Sequence, residues 1–164
     1  MCIRDRRKVH IVTMDETLVS FLTPLAKRQS KEWLPKGAAA PTKPRDKQMI
    51  LTFFDIDGIV YTRYTPVGLK IDAAYIVDVL GAFLKAMRKK RTDVVAADTW
   101  MLHWGNAPVH TAKLTKDFLE RKQFRLVPHA PYSPDLAPAD FWLFPKCKAD
   151  LAGDLIGEET VRTT

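Results

Sequence analysis

The sequence predicts an α/β fold, with a mixed five-stranded sheet flanked by helices. Three observations predict it. Segments with strand and helix patterning follow one another in the order β, β, β, α, β, α, β, α. The second and third strands are joined by an Asp57-Gly58 turn, which makes them an antiparallel hairpin. The length, 164 residues with 46% hydrophobic and 27% charged side chains, suits one globular domain with a single core.

Lys8–Thr13 (KVHIVT) alternates Val9 and Ile11 with polar neighbours, the period of a strand, and leads into Met14–Thr17 (MDET). Gln29–Lys47 is rich in Lys, Pro and Ala. Its prolines, Pro35, Pro41 and Pro44, break any regular element and make it a long loop. Met49–Phe54 (MILTFF) is an apolar strand, and Ile59–Tyr64 completes the hairpin. Asp72 is placed to cap a helix reaching about Lys90. Ala74, Ile76, Val79, Leu80, Phe83, Leu84 and Met87 recur there at mostly helical spacing. The cations Arg88–Arg91 fall in its last turn, where they suit the helix dipole.

Thr99–His103 (TWMLH) reads as a short strand, and Asn106-Ala107-Pro108 turns the chain. Thr111–Arg121 is an amphipathic helix expected to turn Leu114, Phe118 and Leu119 inward. Phe124–Val127 is the fifth strand. Pro128–Pro138 (PHAPYSPDLAP) is loop. Ala139–Leu151 is a helix carrying Phe141, Leu143, Phe144 and Leu151, with Pro145 as a point of interruption. Three antiparallel strands followed by alternating helices and strands is the order of an RNase H-like fold.

Charge points towards polyanions. Lys and Arg number 26 against 19 acids, a net +7, which favours nucleic acid or an anionic surface over acidic partners, with solvated lysine faces as the plainer alternative. No apolar run is long enough to span a bilayer, and the N-terminus has no secretory signal pattern. Cys2 and Cys147 form neither a disulfide framework nor a metal motif, which fits an intracellular, reducing setting. Met1–Arg6 (MCIRDR) resembles the translation of a transposon-end adapter used in sequencing libraries. Residues 1–7 are therefore expected to lie outside the fold, with the native chain beginning upstream.

The long string His129–Pro145 (HAPYSPDLAPADFWLFP) resembles the catalytic domain of mariner-type transposases of the Tc1/mariner superfamily. Met14–Thr17 (MDET), Gln29–Trp33 (QSKEW) and Leu102–Ala112 (LHWGNAPVHTA) support the resemblance. It runs from about residue 8 to residue 153, the expected domain, with 27–47 as a basic loop insertion and 154–164 as a tail. It implies an RNase H-like cut-and-paste enzyme that cleaves DNA at inverted-repeat ends and joins the 3′-hydroxyl to a TA target. It also implies Mg²⁺ or Mn²⁺ as cofactor, transposon-end DNA as partner, a homodimer, and a nuclear place of action. The family places helix-turn-helix domains ahead of this domain. They have no counterpart in this sequence, so end recognition is expected to be lost.

The resemblance assigns the first metal-binding carboxylate to Asp15, at the end of the first strand, and the third to Asp140. The second is expected ahead of the third with 34 residues between them, where the family has aspartate before Asn-Ala. That position is Gly105. Divalent ions that clamp the attacking and leaving oxygens of a phosphodiester need oxygen ligands, and glycine offers no side-chain ligand and no charge. The chain is therefore expected to bind metal poorly and to be inactive, leaving at most a nucleic-acid-binding or dimerisation module.

No nearby acid replaces it on sequence grounds. Asp98 is seven residues earlier, about 23 Å along an extended segment. Asp135 sits in a proline-rich turn, and Glu16 is expected on the strand face opposite Asp15.

Asn106 and His110 are candidates for a supporting role, His110 as a packing or capping residue ahead of a catalytic one. His103 and His129 read as local hydrogen bonders. Trp33, Trp100, Trp104 and Trp142 read as core or interface aromatics, with base stacking the lesser alternative. The DNA-binding candidates are Lys27, Arg28, Lys31, Lys36, Lys43, Arg45 and Lys47, which the resemblance directs towards a partner subunit and the transposon end. Leu18 departs from the family's tryptophan after Asp-Glu-Thr.

Overall fold

In the computed structural model, residues 9–20, 47–66 and 68–150 are described. The strands are β1 (His10–Ser20), β2 (Lys47–Asp55), β3 (Gly58–Tyr64), β4 (Trp100–His103) and β5 (Leu126–Val127). The helices are α1 (Ala73–Lys90), α2 (Thr92–Ala96), α3 (Pro108–Thr111), α4 (Lys113–Arg121) and α5 (Phe144–Asp150). The sheet order is β3-β2-β1-β4-β5. The first three strands pair antiparallel, while β4 and β5 run parallel to β1. This is the mixed five-stranded, RNase H-like sheet that the element order predicted.

The first strand is longer than its apolar alternation indicated. It continues through Asp15 to Ser20 because β2 pairs with it along that whole length, from Thr13↔Phe54 to Ser20↔Lys47. Asp15 is thus mid-strand, opposite Thr52, rather than at a strand end. The other edge of β1 is different. Its pairing with β4 stops at Thr13↔His103, so beyond Thr13 the chain leaving β4 no longer follows β1. A crevice at the carboxyl ends of parallel strands is the usual place for a site in an open α/β sheet.

The β2–β3 hairpin turns through Ile56 and Asp57, with Asp55 opposite Gly58. Gly58 has φ +111°, which a side chain would strain, and this is why the turn ends on glycine. Asp72 caps α1 as expected, its side chain accepting from the Tyr75 N–H at 2.8 Å. The buried face of α1 is Ile76, Val79, Leu80, Phe83 and Met87, packed on Val12, Met14, Leu51, Phe53 and Leu102 of the sheet. Phe53 and Phe83 stack at 4.3 Å. Each such side chain contributes about 1.5–3 kcal/mol by leaving water.

The Thr111–Arg121 helix is divided. Ala112 is extended (ψ 146°) and separates α3 from α4, so the helical phase restarts at Lys113. As a result Thr115, Phe118 and Leu119 face inward and Leu114 stays exposed, contrary to expectation. The last helix also departs from a simple α-helix. A 3₁₀ turn (Pro134–Leu136) is followed by a π-helical turn (Ala139–Leu143), which leads into α5. Proline at 145 has no N–H to give, and the wider turn before it lets the helix pass through that residue instead of breaking there. Ala139 and Phe144 are buried against Phe54, while Phe141 and Trp142 are exposed. Lys47, expected as the end of a loop, is the first residue of β2.

Candidate active site

Asp15 on β1 and Asp140 on the π-helical turn come together beside the open edge of β1. Asp15 is partly buried, and its Oδ1 accepts from the Glu16 N–H at 2.8 Å. Burial is the main cause that pushes the Asp15 carboxyl up to about 7. The Glu16 N–H opposes the shift, and repulsion from the Asp140 and Glu16 carboxylates adds to it, as does a hydrogen bond with the Glu16 side chain. Asp140 is exposed, its N–H donating to Ala137 O at 2.9 Å, so the turn built by Pro134–Pro138 sets its place. An open cavity of about 390 Å³ lies alongside, bordered by Glu16, Thr17, Leu18, Asp140, Phe144 and Lys148. Leu18 is about half exposed on this rim.

Gly105 lies two residues beyond β4. A Cβ built there meets no atom within 4 Å, so nothing in the backbone or its neighbours forces glycine at this point. Its carbonyl accepts from His110 Nδ1 at 2.9 Å. The other ring nitrogen, Nε2, lies 2.8 Å from Glu16 Oε1, and the ring stacks on Trp104 at 4.3 Å and 4°. His110 is only 4% exposed. Its two partners are acceptors, an arrangement that favours the charged ring with a proton on each nitrogen. Burial of the ring works against that charge. The hydrogen bond and charge of Glu16 outweigh it, helped by the Gly105 carbonyl and Asp15, and the His110 pKa is raised.

The remaining sequence candidates separate clearly. Asn106 Nδ2 donates to His129 O at 2.9 Å and holds the loop after β5 beside the loop after β4. His103 and His129 bond each other at 3.0 Å, as local hydrogen bonders. Trp104 is buried, Trp100 packs on Phe83 and Phe124, and Trp142 is about half exposed. Asp98 pairs with Arg125 at 2.8 Å, and Asp135 lies exposed in the 3₁₀ turn, so neither joins the site. Of the basic candidates, Lys47 is exposed at the start of β2. Lys27, Arg28, Lys31, Lys36, Lys43 and Arg45 lie outside the described residues, as do Trp33, residues 1–7 and residues 154–164.

Sequence reasoning missed the contact between Glu16 and His110. Strand alternation correctly sends Glu16 away from the Asp15 face towards α3, where its carboxyl meets His110. Only the adjacency of two acids within one strand hinted at this.

A second cluster stands apart. His10, Asp55 and Asp57 bring ligand atoms within 4.8 Å of one another, the one such group of three among the described residues. It lies at the other end of β1, about 16 Å from Asp15 along the strand. Its buried member, Asp55, is already neutralised by Arg91, whose Nε and Nη2 each reach a carboxylate oxygen at 2.8 Å. That fork makes it an ion-pair staple between the hairpin and the end of α1.

Over residues 24–97 the sequence matches a family described as transposase (partial DDE domain). It is 33% identical over 141 residues to the mariner Mos1 transposase of Drosophila mauritiana, a match covering 82% of this chain and 40% of that protein. It is 25% identical over 139 residues to the histone-lysine N-methyltransferase SETMAR of Homo sapiens, covering 82% of this chain and 20% of that protein. Among solved structures, the Mos1 mariner paired end complex with Mn aligns with a TM-score of 0.79 at 32% identity, over 93% of this chain and 45% of that one. The catalytic domain of Mos1 mariner transposase aligns with a TM-score of 0.74 at 29% identity, over 93% of this chain and 65% of that one.

Proposed function

We infer what this chain does from its membership of the mariner-type transposase catalytic domains, the family to which its sequence and fold belong. Its ancestral reaction is cleavage of DNA at transposon ends and joining of the freed 3′-hydroxyl to a TA target, in the nucleus, by paired subunits. The chain spans less than half of the Mos1 transposase, so this is a reading of the domain's inherited chemistry.

The donor set fits a hard divalent cation in part. Asp15 and Asp140 are carboxylates of the kind Mg²⁺ and Mn²⁺ take. Their mutual repulsion, together with burial of Asp15, is relieved by a cation between them. When bound, such ions activate the attacking oxygen and stabilise the leaving one. The protein's own part is positional. β1 presents Asp15 from a strand paired along its length, and the π-helical turn presents Asp140.

The observation that carries the reading is the glycine between them in the family's order. Gly105 follows β4 where the resemblance places the second carboxylate, and it brings only a carbonyl, already engaged by His110. Two carboxylates do not secure two ions. The chain is therefore a catalytically silent descendant with residual affinity for metal. With a charge of +7 it also binds DNA weakly and without sequence preference.

The test is a nicking assay on labelled mariner end DNA in Mg²⁺ or Mn²⁺, expected to show no product. Robust metal-dependent nicking would falsify the silent reading. A salt titration on end and random DNA is expected to give equal, steeply salt-sensitive binding, weakened when Lys27, Arg28, Lys31, Lys36, Lys43, Arg45 and Lys47 are neutralised together. Clear preference for the end would contradict it.

A further inference from the structure

We propose that the cavity between the ends of α1, α2 and α4 takes one pyrimidine nucleotide of a single DNA strand, its phosphate on Arg88 and Lys122 and its base beside Trp100. The proposal rests on the reading of this chain as a DNA-binding domain. It goes beyond that reading in giving the binding a defined site, apart from residues 27–47.

The lining is the first observation. The cavity holds about 150 Å³, the scale of an engineered cavity that takes one benzene ring. Its floor is apolar, with Met87 fully buried and Leu84, Val95 and Trp100 partly so. Phe83 and Phe124 meet Trp100 at 74° and 79°, so neither lies parallel on its ring. An aromatic ring beside cations is the pairing by which single strands are held, because every base has a face to stack.

Charge is the second. Arg88, Lys122 and Arg125 are exposed around the cavity, against one acid, Asp98. Arg125 takes that acid, reaching its carboxylate at 2.8 Å and donating also to its carbonyl. Among the described residues, Arg88 and Lys122 have no carboxylate within 4 Å. Two like charges facing one cavity repel, and a phosphate between them relieves this.

The third concerns the plainer role for these cations. Arg88 lies in the last turn of α1 and Lys122 ends α4, where cations commonly serve the helix carbonyls. Backbone N–H groups already close those carbonyls. The Arg91 N–H donates to Met87 O, the Lys122 N–H to Phe118 O and the Phe124 N–H to Leu119 O. The two side chains are left for an outside anion.

The fourth is the backbone of the wall. The chain leaves α2 through Asp98 (φ +50°) and α4 through Gln123 (φ +55°), both left-handed. Glycine is the ordinary residue at such a turn. Here both positions carry side chains, and both line the cavity. The site is separate from the Asp15 crevice. Trp100 pairs with His10, about 16 Å from Asp15 along β1.

The experiment titrates the full chain into a short fluorescein-labelled oligo(dT), read by anisotropy at fixed salt. Arg88→Gln/Lys122→Gln is compared with Lys89→Gln/Lys116→Gln, two exposed cations outside the cavity. Each pair removes two charges, so the general attraction falls equally. The cavity pair is expected to weaken binding about tenfold more than the other. All four side chains are exposed, so the fold is kept, and circular dichroism checks this.

Equal losses in the two double variants overturn the proposal and leave the DNA-binding reading standing. No binding of oligo(dT) by the unmodified chain overturns both. Nuclear magnetic resonance of the indole N–H groups locates the base without a variant of the cations. Oligo(dT) is expected to shift the Trp100 resonance, and a resonance that stays still overturns the proposal. Thymidine monophosphate is expected to bind more weakly than oligo(dT). Tighter binding by the mononucleotide makes this a site for free nucleotide and overturns its assignment to a strand.

Discussion

Glu16 Oε1 and His110 Nε2 lie 2.8 Å apart, joining residues separated by 94 positions in the chain. This pair ties β1 to α3 and, through the second ring nitrogen, to the Gly105 carbonyl. Removing the ring leaves a partly buried carboxylate and a carbonyl without their donor. His110→Ala is expected to destabilise the fold by about 2–4 kcal/mol, read from the urea midpoint. His110→Gln, which replaces one donor, is expected to recover part of the loss.

The pH dependence of stability follows from the same corner. The folded-state pKa of Asp15 is raised to about 7, so between roughly pH 4 and 7 the folded chain holds a proton that the unfolded chain has released. Stability therefore falls as pH rises through that window. His110, also raised, contributes stability that is fully present below its unfolded value of about 6.5 and is lost as pH climbs through the folded value. Both act in the same direction. Thermal melts of the metal-free chain are expected to show a higher midpoint at pH 5 than at pH 7.5, and Mn²⁺ is expected to raise the midpoint most at the higher pH. Asp15→Asn removes most of the slope below pH 7.

Gly105→Asp is expected to fold normally, because its Cβ meets nothing within 4 Å and its backbone is not in the left-handed region. The added carboxylate is expected to raise Mn²⁺ affinity about tenfold by ligand charge, measured by calorimetry.

Arg91→Met tests the staple at the far end of β1. Asp55 has a side chain only 1% exposed and takes both guanidinium contacts. Breaking one half of such a pair is expected to cost about 3 kcal/mol in chemical denaturation. Although burial works against the charged form, the Arg91 hydrogen bonds and the Asp57 N–H hold the Asp55 carboxyl below its usual value. The pair therefore contributes stability above the ordinary aspartate range that is lost as pH falls through the folded value, and the variant loses that acid-side dependence.

Gly58→Ala tests the hairpin. At φ +111° a Cβ is strained whatever space surrounds it, and a cost of about 1 kcal/mol or more is expected in thermal melts.

Much of the fold was legible because its signals are local. Asp72 and the apolar run from Ile76 to Met87 specify α1 from cap to last turn, and the hairpin announces itself through Asp57-Gly58. Where structure and expectation part, a partner distant in sequence made the difference. Met14–Ser20 lacks clean alternation and becomes strand because β2 pairs with it. The restart of helical phase at Ala112, which exposes Leu114, and the π-helical turn before Pro145 are both settled by packing.

The sequence by itself determined the family, the strand and helix order, and the identities of Asp15, Gly105 and Asp140, because motif spacing and hydrophobic period are written residue by residue. Only the tertiary structure decided that Glu16 meets His110. That contact depends on where β4 stops pairing with β1 and on a loop that returns His110 beside it, and no local pattern encodes the meeting of two segments 94 residues apart.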